Sequence, residues 1–600
     1  MLNEINNNLQ DNISKEALAQ NSKLKEEKTN VVLIGVYQYY NASIRLLRPL
    51  IDKIEGINAY SIFYKKYIGN IYNAPTSKEE ELFVEIIKKL NPKIVGLSLL
   101  SPYVEICKRL TVLIKENTDA LVLWGGVGPT LEPELHIKRE VNGGADMICV
   151  GEGEVAISQL VEAVRDGTDY KKIKNLWIHE GDKIIKNPMG SMIQDLDTLP
   201  FAEWGHNNMF FIEHNRVIKD DPELENGIFY IQTSRGCPYS CNFCVESTYH
   251  EIYDGLGKRV RRRTVENILQ ELKTQLARPG NRKKRIDFVD EVFGSNAPWI
   301  DEFAPRYKKE VGLPFYAKYH PKTLKPSIIK RMVEAGIAYI NFGLQTGSDY
   351  IRNEIYERPG TKAEALSLCW DLAKHKVDVV YDLILDNDFE TKDTLKECIE
   401  FITKLPKPRC FNISSLKHFP GYGLTKKAIA AGHITEEEVG NWHDQMLSTT
   451  TEWKFKPRFF KRKKTRTNQL QRLNNIIFLM CGNHVEDSLV KYAVFGKGIG
   501  PRIAFHYLNL KACFIGNIIG PIRPYGNKGF WDRGSFNWKW TQFLYKNKIT
   551  SYPLMALKLI LSGNFSDLSF RIQKVLKRAY YGKKIKSKDM NSIEEWNILE

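Results

Sequence analysis

The stretch GIFYIQTSRGCPYSCNFC, residues 227–244, decides how the middle of this chain folds. It opens as an apolar, aromatic run that reads as a buried strand, then passes through Ser-Arg-Gly into a loop with three cysteines. Downstream, strand-like and helical segments alternate. A helix is expected around 265–276, strands at RIDFVDEVF (285–293) and PFYAKYH (314–320), and a helix over 328–335. The strand AYINFGLQTGS (338–348), a helix near 363–374, and the strands VDVVYDLILDN (377–387) and FNISSLKHFPG (411–421) follow. Repeated βα units of this number predict a full or partial (β/α) barrel over residues 226–421.

CPYSCNFC has the spacing C-x3-C-x2-C. Three thiolates, from Cys237, Cys241 and Cys244, suit three irons of a cubic [4Fe–4S] cluster and leave the fourth iron open to a substrate or cofactor. Zinc motifs more often pair two C-x2-C units and need a fourth ligand. A zinc site completed by a distant histidine and purely structural cysteines are the alternatives. The seven other cysteines are scattered singly, which is no disulfide framework; they read as small buried apolar residues.

Ahead of the barrel, residues 29–170 also alternate strand and helix. VVLIGV (31–36), KIVGLSLL (93–100), ALVLWGG (120–126) and ADMICVGEGE (145–154) are short apolar runs ending in small residues, which predicts a parallel, doubly wound, Rossmann-like sheet. Ligands in such sheets bind outside the carboxyl ends of the strands. Those ends read Ser98, GGVGPT (125–130) and GEGE (151–154), and their glycines permit close approach of backbone to a large flat ligand or a phosphate; ordinary tight turns are the alternative. Residues 1–28 are polar and read as a disordered tail, 171–225 as a connector containing a hairpin at WIHEGDKIIKNP, and 422–600 as a mainly helical accessory domain.

The 600 residues are 43% hydrophobic and 26% charged, a globular composition, without an uninterrupted apolar run long enough to span a bilayer. No secretory signal is read at the N-terminus, so a cytoplasmic location is expected. The net charge of +16 lies almost wholly beyond residue 420, where about 30 Lys and Arg face about 13 Asp and Glu. The run Lys461, Arg462, Lys463, Lys464 and Arg466 reads as a solvated loop or as a contact for an anionic substrate, peptide, nucleic acid or lipid surface. Trp531, Phe536, Trp538 and Trp540 are core aromatics or the wall of a substrate groove. No nucleic-acid-binding module is recognisable, so nucleic acid is not an expected partner; contact with a membrane surface through the basic domain is compatible with the charge.

The cysteine loop, with Phe243 before its last cysteine, resembles the signature of radical S-adenosylmethionine (radical SAM) enzymes. The preceding domain resembles the cobalamin-binding domain that one branch of that family carries. The resemblance spans about residues 30–420, or some two-thirds of the chain. It implies three cofactors: a [4Fe–4S] cluster, S-adenosylmethionine and cobalamin. It also implies an external electron donor of the flavodoxin or ferredoxin type. Phe243, Asp290, Lys318, Gln345 and Asp382 are the expected S-adenosylmethionine contacts, with Glu291 beside Asp290 facing the ribose or substrate. A loop-capping role for Asp290 and a plain surface position for Lys318 are the alternatives. Gln345 stands in GLQTGSD where the family often has glutamate; its amide can hydrogen-bond but cannot act as a base.

For cobalamin the expected contacts are Tyr37, Gln38, Tyr39, Ser98, Gly125, Gly126, Val127, Gly128, Glu152 and Gly153. The loop GVYQYYNASIR (35–45) lacks the histidine that ligates cobalt in many cobalamin proteins, so Tyr37, Gln38 or Tyr39 is left to face the cobalt, or else to serve as core or surface. The reaction implied is methylation of an unactivated carbon of a small molecule or peptide: a 5′-deoxyadenosyl radical removes hydrogen, methylcobalamin delivers the methyl group, and a second S-adenosylmethionine regenerates it. Cyclisation or rearrangement with the same cofactors is the runner-up, and a non-catalytic cobalamin sensor or carrier is the alternative of another class.

Overall fold

The structure is a computed structural model that describes residues 28–66, 74–206, 208–225, 227–278, 281–407, 409–440, 466–481 and 485–514. The basic run at 461–466, the aromatics at 531–540 and the N-terminal tail thus lie outside the described residues or their described side chains.

The first unit is a nine-stranded sheet. Its parallel centre holds β1 (Thr29–Val36), β2 (Ile57–Tyr64), β3 (Ile94–Ser98), β4 (Leu121–Gly125) and β5 (Met147–Cys149), in the order β5-β4-β3-β1-β2. Along β1, Val32, Ile34 and Val36 enter one core while Val31 and Leu33 enter another. Apolar side chains on both faces are what a sheet covered by helices on both sides requires.

The stretch expected to be a connector extends this sheet at both edges. β6 (Leu176–Glu180) and β7 (Lys183–Lys186) form the expected hairpin and pair antiparallel beside β5. β8 (Met209–Glu213) runs parallel to β2 and turns back into β9 (Arg216–Ile218). Neither hairpin has enough apolar surface to stand alone, and each completes its hydrogen bonds on an existing edge.

The second unit is a six-stranded, wholly parallel sheet: β10 (Ile228–Ile231), β13 (Arg285–Phe288), β14 (Phe315–Tyr319), β15 (Ile337–Gln345), β16 (Asp378–Leu385) and β17 (Cys410–Ser415), in that order. Helices intervene between these strands, making a partial barrel. A short antiparallel ribbon of β11 (Ser234–Arg235) and β12 (Arg261–Arg262) brackets the cysteine loop. Alternation sorts the strands: Ala317, Ile340, Phe342, Tyr381 and Leu383 pack against the helices, and Lys318, Asn341 and Asp382 take the opposite, concave face.

The C-terminal segment is helical where described, but it is not separate from the barrel. Ile476, Ile477 and Leu479 of the helix Arg466–Cys481 sit in the same core as Leu395 and Ile399 of the helix Lys392–Lys404. Asp487, at the start of the next helix, pairs with Lys407 and Arg409 just before β17. Among the described residues no helix is long and apolar enough to cross a membrane.

Candidate active site

The carboxyl ends of β3, β4 and β5 face the residues flanking the cysteine loop across a cavity of ≈ 380 Å³. Ser98, Gly125, Gly126, Val127, Thr130 and residues 151–154 line one side; Gly236, Glu246, Tyr249, Tyr253 and Glu291 line the other. Leu33, Leu97 and Leu123 contribute apolar wall.

The glycine loops are built for close approach. Gly126 has φ +104, and a Cβ there would stand 2.7 Å from the Leu99 carbonyl oxygen, so no other residue fits. Gly125 and Gly153 differ: a Cβ at either meets only Cys149, at 3.8 Å, and side chains there would fill the cavity. Thr130 ties the two loops together, donating to the Gly126 carbonyl at 2.7 Å and accepting from the Gly151 N–H at 3.0 Å. The Ser98 hydroxyl accepts from Asn41 at 3.2 Å, while the Asn41 amide oxygen caps the helix Ala42–Asp52. This backbone-walled, half-apolar space fits a large flat cofactor such as a corrin.

Four expected cobalamin contacts, Tyr37, Gln38, Tyr39 and Gly128, lie elsewhere. Tyr37, at φ +58, turns its ring onto Tyr103 in one core, and Tyr39 packs edge-on against Phe211 in the other. Gln38 is half-buried and does not line the cavity; Ala42, Ser43, Leu46 and Leu47 from the following helix do. The left-handed turn at Tyr37 sends the chain away before the helix brings it back, which no residue pattern announces. Gly128 faces inward, where a Cβ would meet Leu99 and His136 at 3.1 Å.

Cys237, Cys241 and Cys244 follow the strand–ribbon junction. Burial pushes the Cys237 thiol up to about 12 and the Cys244 thiol up to about 11, and each feels the charge of its neighbours. Such thiols need a metal to become thiolates at neutral pH. Among the described residues no three His, Cys, Asp or Glu side chains converge as around a single ion. A cubane binds each thiolate through a different iron, so it asks for three cysteines around one loop and not for a single point of convergence. Arg358 donates to Cys241 Sγ at 3.5 Å and to the Gly343 carbonyl at 2.7 Å, setting a cation beside the loop. Glu246 accepts the Cys237 N–H at 3.0 Å, and His250 bridges the Cys237 carbonyl and Ser240.

The remaining expected contacts divide. Phe243 rests edge-on against Tyr356, 4.8 Å between ring centroids, and anchors the loop by packing. Asp290 is fully buried and accepts from Thr233 N–H and from the hydroxyls of Thr233 and Ser234, at 3.1, 2.7 and 2.5 Å. It ties the end of β10 to that of β13, the capping role that the sequence left open. Lys318, Asn341 and Asp382 form a polar lane across the concave face: Lys318 is in register with Asn341, and Asp382 accepts from Asn341 at 2.8 Å and from Asn412 at 3.1 Å. Burial pushes the Asp382 carboxyl up, opposed by those amides and by Lys318. Gln345 sits at a break in the β15–β16 register with φ +65, its amide over Gly343 next to Arg358.

Four arginines and histidines escaped sequence reading: Arg235, Arg261, Arg358 and His320. Glu152 accepts from Arg261 Nη1 at 2.7 and 2.9 Å, and Arg235 reaches Glu154 at 2.7 Å. Burial works against the Arg235 charge, but Glu154 and Glu152 outweigh it and push its pKa up. His320 stacks on Tyr239 of the cysteine loop at 3.9 Å. The only sequence signal for Arg261 is the basic stretch 258–263 following the cysteines, and Arg235 stands in the Ser-Arg-Gly run just before them.

Residues 231–402 match the Radical SAM superfamily, and residues 66–161 match the B12 binding domain. The chain carries a radical SAM domain preceded by a B12-binding domain. It is 27% identical over 351 residues to an uncharacterised methyltransferase of Pyrococcus horikoshii, covering 58% of this chain and 71% of that protein. Its fold is shared with two solved structures. One is the cobalamin-dependent S-adenosylmethionine radical enzyme OxsB with aqua-cobalamin bound, at TM-score 0.59 and 14% identity, covering 92% of this chain and 84% of that one. The other is the radical S-adenosylmethionine methyltransferase TsrM from Kitasatospora setae, with cobalamin and a [4Fe–4S] cluster bound, at TM-score 0.55 and 16% identity, covering 67% and 78%. The cofactors that belong to these domains are S-adenosylmethionine with its [4Fe–4S] cluster, and cobalamin.

Proposed function

We propose that this enzyme transfers a methyl group to an unactivated carbon of a small-molecule or peptide substrate. The observation that carries the reading is one cavity walled on one side by the glycine loops of the B12-binding domain and on the other by residues that flank the cysteine loop, Arg235 and Gly236 before it and Glu246 and Tyr249 after it. When bound, the cluster with S-adenosylmethionine supplies a hydrogen-abstracting radical and cobalamin supplies the methyl group. Both are needed because a carbon radical is not a nucleophile and cannot attack a sulfonium methyl.

The chain's own residues hold and orient. Cys237, Cys241 and Cys244 hold the cluster, and Arg358 brings positive charge to the thiolate of Cys241. Gly125 and Gly153 leave room for the corrin, and the leucine wall keeps water from a reactive carbon centre. The lane of Lys318, Asn341, Asp382 and Asn412 offers fixed donors and acceptors to the cofactor sugar or to substrate polar groups. A low-potential donor of the flavodoxin or ferredoxin type supplies the electron.

The test is anaerobic incubation with methyl-labelled S-adenosylmethionine, a reductant and candidate substrates. Label in a product heavier by one methyl group, with deoxyadenosine formed alongside, supports the proposal. Deoxyadenosine with a product that has lost hydrogens and gained no label replaces it by cyclisation. No deoxyadenosine under reduction leaves only a sensor or carrier.

A further inference from the structure

Arg235 and Arg261 are directly opposite each other in the register of the β11–β12 ribbon, and both guanidinium groups reach the same Glu152 oxygen. Like charges in that position destabilise a strand pair, and a ribbon of two residues per strand has few other bonds with which to resist. The compensation comes from the other domain. Glu152 Oε1 accepts from both arginines, from Arg261 at 2.7 Å and from Arg235 at 3.3 Å, and Glu154 takes the second Arg235 nitrogen at 2.7 Å. Glu152 is itself fixed by the Ile193 N–H at 2.9 Å.

This ribbon launches the cysteine loop. Arg235 is followed by Gly236, at φ +88, whose Cβ position is already taken by the Arg259 carbonyl oxygen, and then by Cys237. On the opposite side, Glu152 lies between Gly151 and Gly153, in the loop that walls the cavity below. Four charged side chains therefore join the backbone that carries the first cluster cysteine to the backbone that cradles the corrin.

We infer that Arg235 and Arg261 are positioning residues: the carboxylates of Glu152 and Glu154 assemble the ribbon and so set the cysteine loop at a fixed distance from the corrin cradle. The inference rests on the two-cofactor reading for what the distance is for, and on side-chain geometry alone for the latch itself. A shift of an ångström between two reacting centres is costly in rate, so the latch selects productive transfer over idle cleavage of S-adenosylmethionine.

The test is hydrogen–deuterium exchange on the purified full-length protein, comparing wild type with Arg261→Met, Arg261→Lys and Glu154→Gln. Arg261→Met lies in the barrel unit, yet amides at 151–156 in the other domain are expected to exchange at least about tenfold faster, the factor given by about 1.4 kcal/mol of easier opening. Exchange in 31–36 stays as in wild type, and Arg261→Lys, which keeps the charge, restores part of the protection. Glu154→Gln acts in the reverse direction, on amides at 234–237. Changes confined to the mutated side in both variants overturn the latch. The second readout is the ratio of methylated product to deoxyadenosine, which falls at least about tenfold in Arg261→Met if the latch positions the two centres. An unchanged ratio overturns the positioning role. A wild-type protein that makes no deoxyadenosine would instead break the two-cofactor reading, and the exchange experiment does not depend on it.

Discussion

Arg45 and Asp221 form a fully buried, two-pronged ion pair at 2.6 and 3.0 Å, joining the helix after β1 to the segment after β9. The Arg45 guanidinium also lies 3.9 Å from the Trp204 ring, and its Nε donates to the Tyr39 carbonyl at 2.9 Å. The pair pins the edge hairpin to the helix that lines the cavity, although 176 residues separate its members. Removing one partner leaves an uncompensated buried charge. Asp221→Ala is expected to destabilise the N-terminal unit by about 3–5 kcal/mol, read as an earlier transition in urea unfolding followed by Trp fluorescence. A change below about 1 kcal/mol would mean that the pair behaves as a surface contact.

Replacing Cys237, Cys241 or Cys244 singly with alanine removes one of the three thiolates the cluster needs. Iron content after anaerobic reconstitution and deoxyadenosine formation should both collapse. Cobalamin uptake should persist, because its cradle lies in the other domain. Full deoxyadenosine formation in any of the three variants would refute the cluster assignment.

Gly153→Val projects a side chain into open cavity and not into backbone, since Cys149 at 3.8 Å is its only close neighbour. The fold should survive while cobalamin affinity falls about tenfold or more, the scale of about 1.4 kcal/mol of overpacking. Gly126→Ala contrasts with it: the Cβ strikes the Leu99 carbonyl, so stability itself should drop. Visible titration with hydroxocobalamin and a thermal melt separate the two, and unaltered cobalamin binding by Gly153→Val would place the corrin elsewhere.

His320 is buried beside Arg358, Arg352 and Lys322, and burial followed by those cations pushes its pKa down to about 2. In the unfolded chain an imidazole titrates near about 6.5. Between these values the unfolded state binds the extra proton, so stability is lost as pH falls below about 6.5, by roughly 1.4 kcal/mol per pH unit at most. His320→Gln, whose amide oxygen can take the N–H of Lys322 that His320 Nδ1 accepts at 3.0 Å, should flatten that slope. Urea midpoints at pH 7 and pH 5 for the two proteins check this, and parallel slopes would mean that His320 is protonated in the fold.

The local pattern carried much of the architecture. Apolar runs at 31–36, 93–100 and 120–126 became β1, β3 and β4, and the hairpin turning at Gly181-Asp182 formed as read. The edge strands β8 and β9 were missed because they are short and because β8, on which β9 folds back, pairs with β2, about 150 residues away in sequence. Asp290 illustrates the same limit at the site. Its type and position suit a cofactor contact, but three donors from Thr233 and Ser234 claim its oxygens.

What the sequence by itself determined is the chemistry in the cysteine spacing and the glycine-rich strand ends, because both are local: one loop suffices to present three thiolates, and one turn suffices to need a glycine. The tertiary structure alone decided what each charged and aromatic side chain does. Tyr37 and Tyr39 went to opposite cores, and Glu152 and Glu154 went to Arg235 and Arg261. The reason is that a carboxylate's role is set by whichever cation or donor comes within about 3 Å of it, and here those partners come from a different domain.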